Sequence, residues 1–265
     1  MHNYRPTWAE INLDHMWHNI CLAQSKLNHQ KIIPVIKANA YGHGATKVCE
    51  FLIKKGIDTF AVSLLEEAIE LRRVDDKIKI IMMGAILGDQ LMIAQDHHID
   101  ITLYDESLIP DILACKDSLN IHLKIDTGMH RYGLTDEASI LSAIKKIEDQ
   151  DIHHLVGIYT HFSTANENEA YYNKQLDAFK HILSHIKHKP PMIHISNSSS
   201  TLKYEKNYTF TTHVRYGISL YGLTLDEPKE DLRPVMSLKS NVVQIKHLKK
   251  SEYLGYGASY QAKKD

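Results

Sequence analysis

The chain has 265 residues, of which 43% are hydrophobic and 24% are charged, and its formal net charge at pH 7 is −1. A chain of this length and composition can bury a large core, which is typical of a globular protein. The near-neutral charge gives no sign of a polyanionic partner, so nucleic-acid binding is not predicted.

The sequence also lacks the signals of membrane insertion and secretion. No apolar stretch reaches the roughly 20 residues that a transmembrane helix requires, so no membrane partner is predicted. The N-terminus, MHNYRPTWAEINLDH, does not show the basic and then apolar plan of a secretion signal. We therefore expect a cytoplasmic protein.

Cysteine and histidine spacing gives no metal signature. Cys21, Cys49 and Cys115 are far apart and odd in number, which indicates neither a disulfide framework nor a zinc site. The 18 histidines lack the HExxH spacing, and adjacent histidines such as His97 and His98 point apart in a helix or strand. No metal is predicted.

The first elements are a strand, a helix and a second strand. Alternating apolar and polar residues predict an edge strand at residues 8–13, and Asp14 can cap a helix at residues 15–27. The apolar run at residues 32–36 predicts a strand buried on both faces, and Lys37 follows at its end. The two glycines in residues 39–44 then predict a sharp turn.

From this turn onward, helices and short strands alternate along the chain. Helices are predicted at residues 46–55, 64–74, 88–97, 106–115, 137–148 and 169–187, with a helical turn at residues 201–204. Strands are predicted at residues 59–63, 79–84, 101–104, 121–126, 155–162, 192–196 and 214–220. With the strand at residues 32–36 there are eight strand units, which predicts an α/β fold, a (β/α)8 TIM barrel. The alternative is an open doubly wound sheet, whose GxGxxG turn is absent.

The pattern changes near Pro228, because residues 242–245 and 253–260 are β-like and no helix separates them. We predict three regions: an N-terminal strand associated with a β-domain at residues 1–12, the barrel at residues 13–227, and the start of an incomplete C-terminal β-domain at residues 228–265.

Lys37 is the first candidate site residue. It lies at the carboxyl end of a predicted barrel strand, where such barrels carry their chemistry, and a neutral lysine can form a Schiff base. The pattern alone also allows a lysine that reaches from a buried strand into solvent. The segment VIKANAYGHGA resembles the pyridoxal-phosphate lysine motif of the alanine racemase family. That resemblance implies that Lys37 holds the cofactor covalently and that Tyr41 contacts its phosphate.

A second lysine lies in the apolar segment LKIDTGMHR. If buried, Lys124 must be paired, deprotonated or modified, and the alternative is a side chain that faces outward from the barrel. The segment is similar to one in the same family, which implies that Lys124 is often carbamylated and orients Arg131 toward the cofactor phenolate oxygen. His130 and Tyr132 depart from the glycine and leucine that are commoner in the family, which bears on substrate preference.

Two further strand ends carry a histidine and an arginine that the resemblance assigns to the cofactor ring. Tyr159-Thr-His-Phe162 resembles the family's THF element, which implies that His161 lies near the cofactor and supports Arg215. In Val214-Arg-Tyr-Gly-Ile218, the resemblance implies that Arg215 donates to the pyridine nitrogen. From the pattern alone, His161 could equally be a histidine satisfied within the core.

The phosphate side is assigned to short polar side chains and to backbone. The segment His194-Ile-Ser-Asn-Ser ends a strand in side chains that suit a phosphate, a turn or a helix cap. By resemblance, Asn197 and Ser198 face the phosphate, and the backbone at Gly217 and Ile218 holds it.

These assignments imply racemisation. An arginine does not give up its proton, so the pyridine stays a weak electron sink, which disfavours transamination and decarboxylation. Racemisation needs a base on each face of Cα, and Lys37 supplies one. Gly255-Tyr-Gly-Ala258 matches the family's catalytic tyrosine segment, which implies that Tyr256 is the second base and enters the partner's site in a head-to-tail homodimer. From the pattern alone, a tyrosine between glycines such as Tyr256 is more often an edge-strand aromatic.

The function predicted on this basis is a pyridoxal 5'-phosphate-dependent alanine racemase that supplies D-alanine for peptidoglycan. A serine or broad-specificity racemase is the alternative within the enzyme class. A non-catalytic pyridoxal-phosphate barrel and a cofactor-free Schiff-base lyase are weaker alternatives. A non-catalytic barrel would need no second base such as Tyr256. A cofactor-free lyase would not need the phosphate-suited residues Tyr41, Asn197, Ser198 and Gly217.

Overall fold

The computed structural model describes residues 5–165, 167–204, 206, 208–224 and 231–265. The chain divides into two compact units: Asn12–Val235 is one, and Met1–Ile11 together with Met236–Asp265 is the other. The predicted boundary between residues 227 and 228 lies outside the described residues, and the predicted three-region division stays a prediction.

The strands of the described residues are β1 (Thr7–Ile11), β2 (Lys31–Pro34), β3 (Thr59–Val62), β4 (Lys79–Met82), β5 (Ile101–Leu103), β6 (Asn120–Lys124), β7 (His154–Tyr159), β8 (Met192–His194), β9 (His213–Tyr216), β10 (Met236–Ser240), β11 (Tyr253–Leu254) and β12 (Tyr260–Gln261). The helices are α1 (Leu13–Ser25), α2 (Lys37–Tyr41), α3 (Ala45–Lys54), α4 (Leu65–Arg72), α5 (Leu91–Asp96), α6 (Ile109–Ala114), α7 (Glu137–Glu148), α8 (Glu169–His185) and α9 (Ser198–Lys203).

Strands β2 to β9 close into a parallel barrel. β5, β6, β7 and β8 form one ladder, β3 pairs with β4, and β2 pairs with β9, all in parallel. Bridges between Val35 and Ala61 and between Ile81 and Asp100 join β2 to β3 and β4 to β5. The Arg215 amide donates to the carbonyl of Ser196 at 3.1 Å, beyond the end of β8, which closes the ring. The predicted (β/α)8 fold is confirmed.

Apolar residues on both faces of the strands explain this arrangement. A core cluster of residues from β2, β3, β4 and β8 is fully or almost fully buried, and it consists of Ile33, Val35, Ala61, Ile81 and Met192. The helices cover the outside with apolar stripes, as in α7, whose buried residues are Ile140, Ala143, Ile144 and Ile147. Strands buried on both faces need helices around them, which is the reason for the alternating sequence.

The structure corrects one local prediction for the helices and bears out another. The N-cap of α1 is Asn12, whose side chain accepts from the His15 amide at 3.0 Å, and Asp14 lies inside the first turn. A proline inside a helix kinks or shortens it, and the helix predicted at residues 106–115, which contains Pro110, is shortened in the structure to α6. A 3₁₀ turn at Glu106–Leu108 comes first, and Pro110 lies in the first turn of α6, where a missing amide costs no hydrogen bond.

The other unit is built from short antiparallel pairs. β1 pairs with β10, in register from Thr7 with Ser240 to Ile11 with Met236, and β11 pairs with β12. The β-like prediction for residues 242–245 is wrong, because β1 pairs with the preceding segment and the side chains of Val242 and Val243 are 79% exposed.

No helix in the described part of the chain has the length and apolar character needed to cross a bilayer.

Candidate active site

A cavity of about 630 Å³ lies at the carboxyl ends of the barrel strands. The barrel residues predicted for the site all line it. Those predicted for the covalent link and the ring are Lys37, Lys124, Arg131, His161 and Arg215. Those predicted for the phosphate are Tyr41, Asn197, Ser198, Gly217 and Ile218. The structure therefore brings together residues that are as much as 181 positions apart, from Lys37 to Ile218, while their individual roles stay predictions.

Lys37 begins a left-handed turn. The φ angles of the next residues, 38–41, are 50°, 53°, 54° and 52°, a conformation that costs a residue with a side chain about 1–2 kcal/mol. Glu67 holds the start of this turn, because its Oε1 accepts from the Ala38 amide at 2.6 Å and its Oε2 accepts from the Ser63 and Leu64 amides at 2.9 and 3.0 Å. The glycines predicted a sharp turn here, but they signalled neither its hand nor the part played by Glu67.

The far side of the cavity forms a cradle around Gly217. A Cβ atom on Gly217 would lie 3.4 Å from the Tyr41 hydroxyl and 3.9 Å from Ser198 Oγ, so the missing side chain leaves space between two hydroxyl groups. Ser198 Oγ accepts from the Gly217 amide at 3.0 Å and from the Ser219 amide at 3.4 Å. Burial raises the pKa of Tyr41, which keeps its hydroxyl protonated and able to donate. Hydroxyl and amide donors around a vacant volume suit an oxyanion.

Asn197 and Ile218 contribute differently to this side. The Asn197 side chain caps α9, accepting from the Ser200 amide at 3.1 Å, and donates to the Phe162 carbonyl at 3.4 Å. Ile218 begins a short 3₁₀ segment that directly follows Gly217. Asn197 therefore fixes the backbone at the start of α9, and Ile218 continues the backbone of the cradle beyond Gly217.

Lys124, at the end of β6, is buried on the cavity wall with 1% of its surface exposed. Its Nζ donates to the Ile125 carbonyl at 3.1 Å and lies 5.6 Å from the ring centroids of Tyr132 and Tyr159. Burial, followed by the charge of Arg215, lowers the pKa of Lys124 to about 7. Near neutral pH a large fraction of this amine is therefore uncharged and nucleophilic.

Arg131 is carried on a loop that Asp126 organises. The Asp126 carboxylate accepts from the Gly128, His130 and Arg131 amides at 2.8, 3.1 and 3.1 Å. Burial acts to raise the pKa of Asp126, but the backbone donors outweigh it and the net shift is downward. His130 has a φ of 54°, which explains physically why a glycine suits this position. The Arg131 guanidinium lies 5.2 Å from the Tyr132 ring centroid.

Arg215 is 3% exposed and held on several sides. One terminal nitrogen donates to the Thr160 carbonyl at 2.7 Å, and the other donates to His194 Nδ1 at 3.0 Å and to the His194 carbonyl. His161 Nδ1 lies 3.4 Å from the first nitrogen. Burial and then the charge of Arg215 lower the pKa of His161 well below its ordinary value, so His161 is a neutral acceptor. These contacts fix the guanidinium against the cavity.

A chain of hydrogen bonds runs from Arg215 through the barrel interior. His194 Nε2 lies 3.0 Å from His122 Nδ1, and His122 Nε2 lies 3.3 Å from Asp100 Oδ2. The arginine can only donate and a carboxylate can only accept, so each imidazole must accept on Nδ1 and donate from Nε2. Burial and then Arg215 lower the pKa of His194 well below its ordinary value, consistent with a neutral ring. We call this set the relay: Asp100, His122, His194 and Arg215.

The sequence reasoning did not assign Asp100, His122 or His194. One signal was available, because His122 and Lys124 are two residues apart on β6 and therefore share the face that points into the barrel. A polar pair on an inward face indicates a buried polar network.

Tyr256, the predicted second base, belongs to the unit that contains Met1–Ile11 and Met236–Asp265. It begins a short 3₁₀ segment between Gly255 and Gly257, which both have a φ of 71°, and its side chain is fully exposed. The role of Tyr256 as the second base stays a prediction.

Comparison with known proteins gives four findings. A family model described as "Alanine racemase, N-terminal domain" matches residues 11–225. The alanine racemase of Anoxybacillus flavithermus is 35% identical over 274 residues, which cover 99% of this chain and 71% of that protein. The crystal structure of alanine racemase from E. faecalis matches with a TM-score of 0.93 and 29% identity, covering 98% of this chain and 73% of that one. The solved structure of a histidine racemase from Leuconostoc mesenteroides subsp. sake matches with a TM-score of 0.90 and 26% identity, covering 100% of this chain and 73% of that one.

Proposed function

The chain belongs to the alanine racemase family, and on that premise we propose that it interconverts L- and D-alanine with pyridoxal 5'-phosphate as its cofactor. The observation that carries the proposal is the cavity at the carboxyl ends of the strands. There Lys37, the cradle around Gly217 and the guanidinium of Arg215 face one space of about 630 Å³. A cavity of this size can take a small cofactor together with a small amino acid.

The residues of the cavity fit this cofactor. The cradle offers the hydroxyls of Tyr41 and Ser198 and the vacant side-chain position of Gly217, which suits a phosphate. Arg215 is a fixed donor for a ring nitrogen. Lys37 lies just beyond β2, separated from it by Val35 and Ile36, and would be the amine for a covalent link. When bound, pyridoxal phosphate supplies an aldehyde carbon that condenses with amines and a conjugated ring that withdraws electrons from the Cα–H bond.

Lys37 would act at one face of the substrate. Its amine, when not bound to the cofactor, would take the Cα proton or return one. The neutral form is the base, and the ammonium is the acid for the reverse direction.

Arg215 would select racemisation over other outcomes. Its guanidinium would donate a hydrogen bond to a ring nitrogen and keep its own proton, so the ring would be a weak electron sink. The relay keeps the guanidinium in place, because each of its three contacts, from Arg215 through the two histidines to Asp100, joins one donor to one acceptor. Weak electron withdrawal favours immediate reprotonation at Cα.

Lys124 would serve as an anion that orients Arg131. Its amine, with a pKa of about 7, can add carbon dioxide to form a carbamate, with loss of one proton. A buried carbamate offers two oxygens to a nearby guanidinium, which is a charge-assisted pair. Within the described residues neither Lys124 nor Arg131 pairs with a carboxylate, so a modified lysine would supply the missing negative charge.

Tyr256 would supply the base for the opposite face of Cα, from the partner subunit of a head-to-tail homodimer. Its full exposure supports a role outside its own unit. A phenol must be activated by nearby cations or donors to act near neutral pH.

The product would be D-alanine for peptidoglycan. The alternative, a serine or broad-specificity racemase, is favoured by Tyr132, which stands where leucine is commoner and lines the cavity. Its hydroxyl donates to the Met83 carbonyl, and its ring packs edge-on against Tyr104 with centroids 5.8 Å apart. A cavity wall formed by a tyrosine ring should accept different substrate side chains from a wall formed by leucine.

The test combines substrate assays with chemical trapping. We expect optically monitored racemisation to be fastest with alanine, slower with serine and slowest with histidine. Borohydride reduction should place the pyridoxyl group on the Lys37 peptide, and Lys37→Ala should remove both the adduct and the activity. Lys47→Ala, at a side chain that is 77% exposed on α3, is the matched control and should retain both. An adduct on Lys124, or no turnover of any amino acid, would reject the proposal.

A further inference from the structure

Three metal-ligating side chains meet on the outside of the barrel, away from the cavity residues. Glu137 is the first residue of α7, and His181 and His185 lie one turn apart on α8. Glu137 Oε2 lies 3.0 Å from His181 Nε2, and Glu137 Oε1 lies 3.2 Å from His185 Nδ1. One ligand atom from each residue lies within 4.8 Å of the other two. We call this set the His–Glu cluster.

The spacing of the His–Glu cluster is close to that of a zinc coordination sphere. Zinc bonds nitrogen and oxygen at about 2.0–2.2 Å in tetrahedral geometry, so neighbouring ligand atoms are about 3.3 Å apart. The two nitrogen–oxygen distances, 3.0 and 3.2 Å, are near that value, and the imidazole centroids are 4.7 Å apart. Small side-chain rotations would therefore be enough to surround an ion.

The supporting structure holds the three ligands in place. Asp136 caps α7 by accepting from the Ser139 amide at 2.8 Å, which fixes the turn that carries Glu137. The two histidines are four positions apart, so they project from one face of α8. His185 Nδ1 contacts the His181 carbonyl at 3.1 Å, and the Ser184 hydroxyl donates to that carbonyl at 2.7 Å. His185 can therefore turn toward an ion without leaving the carbonyl unpaired.

We propose that Glu137, His181 and His185 bind one divalent transition-metal ion of the zinc type, with water in the fourth position. Two imidazoles and one carboxylate suit zinc and its neighbours and are poor for magnesium or calcium, which prefer oxygen ligands alone. The ion ties the start of α7 to the last turns of α8. None of the three residues lines the cavity, so the site stabilises the barrel and takes no part in racemisation.

Calorimetric titration of the cofactor-loaded chain with zinc chloride, together with thermal unfolding, tests the proposal. We expect one zinc ion per chain and a rise in the unfolding midpoint on the order of 5 °C at saturation. Glu137→Gln, His181→Gln and His185→Gln should each weaken binding at least about tenfold, because each removes a ligand. His188→Gln, at an exposed histidine just beyond α8, is the matched control and should bind as the parent does.

A second measurement guards against loss of fold in the variants. Circular dichroism should be the same for the parent and the four variants, and their racemisation rates should agree. Cobalt should give a visible tetrahedral absorption band with the parent and with His188→Gln but not with the three cluster variants. Equal zinc affinity in the parent and His181→Gln, or a loss of binding in His188→Gln, would overturn the site. An unfolding midpoint that magnesium raises as much as zinc would also overturn the site. In each of these cases Glu137, His181 and His185 would be joined by hydrogen bonds alone.

Discussion

His194 Nδ1 lies 3.0 Å from a terminal nitrogen of Arg215, and this contact fixes which imidazole nitrogen of His194 carries the proton. Because the arginine must donate there, His194 presents N–H on its other side, toward His122. The orientation of a group at the cavity thus depends on side chains that do not reach it.

The relay predicts opposite results for two substitutions of His122. His122→Leu should leave the Nε2–H of His194 unpaired in the core and let Arg215 shift, lowering kcat/KM by about 10²-fold. His122→Gln should restore much of the activity, because an amide can accept from His194 and donate to Asp100. Stopped-flow racemisation assays and the absorption spectrum of the bound cofactor would measure both.

Stability provides the control for that comparison. An unpaired buried donor costs about 1–3 kcal/mol, so His122→Leu should also unfold at a lower denaturant concentration. If His122→Leu and His122→Gln show the same spectrum and the same rate, the relay is a core feature without influence on Arg215.

Lys124 predicts a specific pH dependence of stability. Its folded pKa, about 7, lies below the ordinary lysine value of 10.5. Between these two pH values the unfolded chain binds more protons than the folded chain, so stability rises with pH across that window. Below about pH 7 the full cost of the buried ammonium is present. Unfolding midpoints measured in bicarbonate-free buffer should therefore rise from pH 7 to pH 10.

Bicarbonate and a variant separate this effect from other titrations. Added bicarbonate should raise the midpoint and the racemisation rate, most strongly above pH 7, where the neutral amine can form a carbamate. Lys124→Met should abolish the bicarbonate response and flatten the pH dependence. A response that persists in Lys124→Met would assign it to another group.

Gly217→Ala tests the cradle. The new Cβ would stand 3.4 Å from the Tyr41 hydroxyl, in space that the proposal assigns to a phosphate. Losing one charge-assisted hydrogen bond of about 1.5–3 kcal/mol should weaken cofactor binding by roughly ten- to a hundredfold. Fluorescence titration with pyridoxal phosphate would measure the change.

The cofactor-free chain is the internal control for Gly217→Ala. The substituted Cβ meets only side-chain atoms, none closer than 3.4 Å, so the unfolding midpoint without cofactor should match the parent. Unaltered affinity for pyridoxal phosphate would show that the phosphate lies elsewhere.

Tyr256 can be tested by mixing two defective chains. In the proposed mechanism Lys37→Ala would lack one base and Tyr256→Phe would lack the other, so each variant alone should be nearly inactive. If the tyrosine acts across a dimer, about half of the mixed dimers combine both chains and one of their two sites is complete. The mixture should then regain about one quarter of the parental activity. No recovery, with mixed dimers verified by differential tagging, would assign Tyr256 to its own subunit or to no catalytic role.

Most of the barrel could be predicted because its signal is local. Short apolar runs between turn signals predicted the barrel strands. The helix α7 was predicted with the same bounds that the structure has, Glu137–Glu148. Residues 242–245 misled the pattern, since a strand requires a partner and β1 is already paired with β10. Pairing is not visible in the composition of one segment.

The residues of the candidate site also fall into those that the sequence could predict and those that it could not. Lys37 and Arg215 could be proposed from segments that surround them, and both line the cavity. Asp100 and Glu67 could not, because their roles depend on partners that fold to them from distant strands and loops, such as His122, which is 22 positions away from Asp100. A lone carboxylate has the same sequence signature in solvent and in a buried network.

The left-handed turn after Lys37 has a consequence for how the active form is reached. Its four residues carry positive φ angles, each disfavoured, and one carboxylate, that of Glu67, secures where they begin. Backbone hydrogen bonds hold the rest of the turn, from the Gly42 amide to the Ala38 carbonyl and from the Gly44 amide to the Asn39 carbonyl, both at 3.0 Å, and Ala40 is fully buried. The disfavoured conformation is therefore set by the fold before any ligand arrives, and its amides should exchange slowly with solvent in the cofactor-free chain. A ligand that contacts both Lys37 and Tyr41 would meet a preformed turn, so little ordering free energy would oppose its binding.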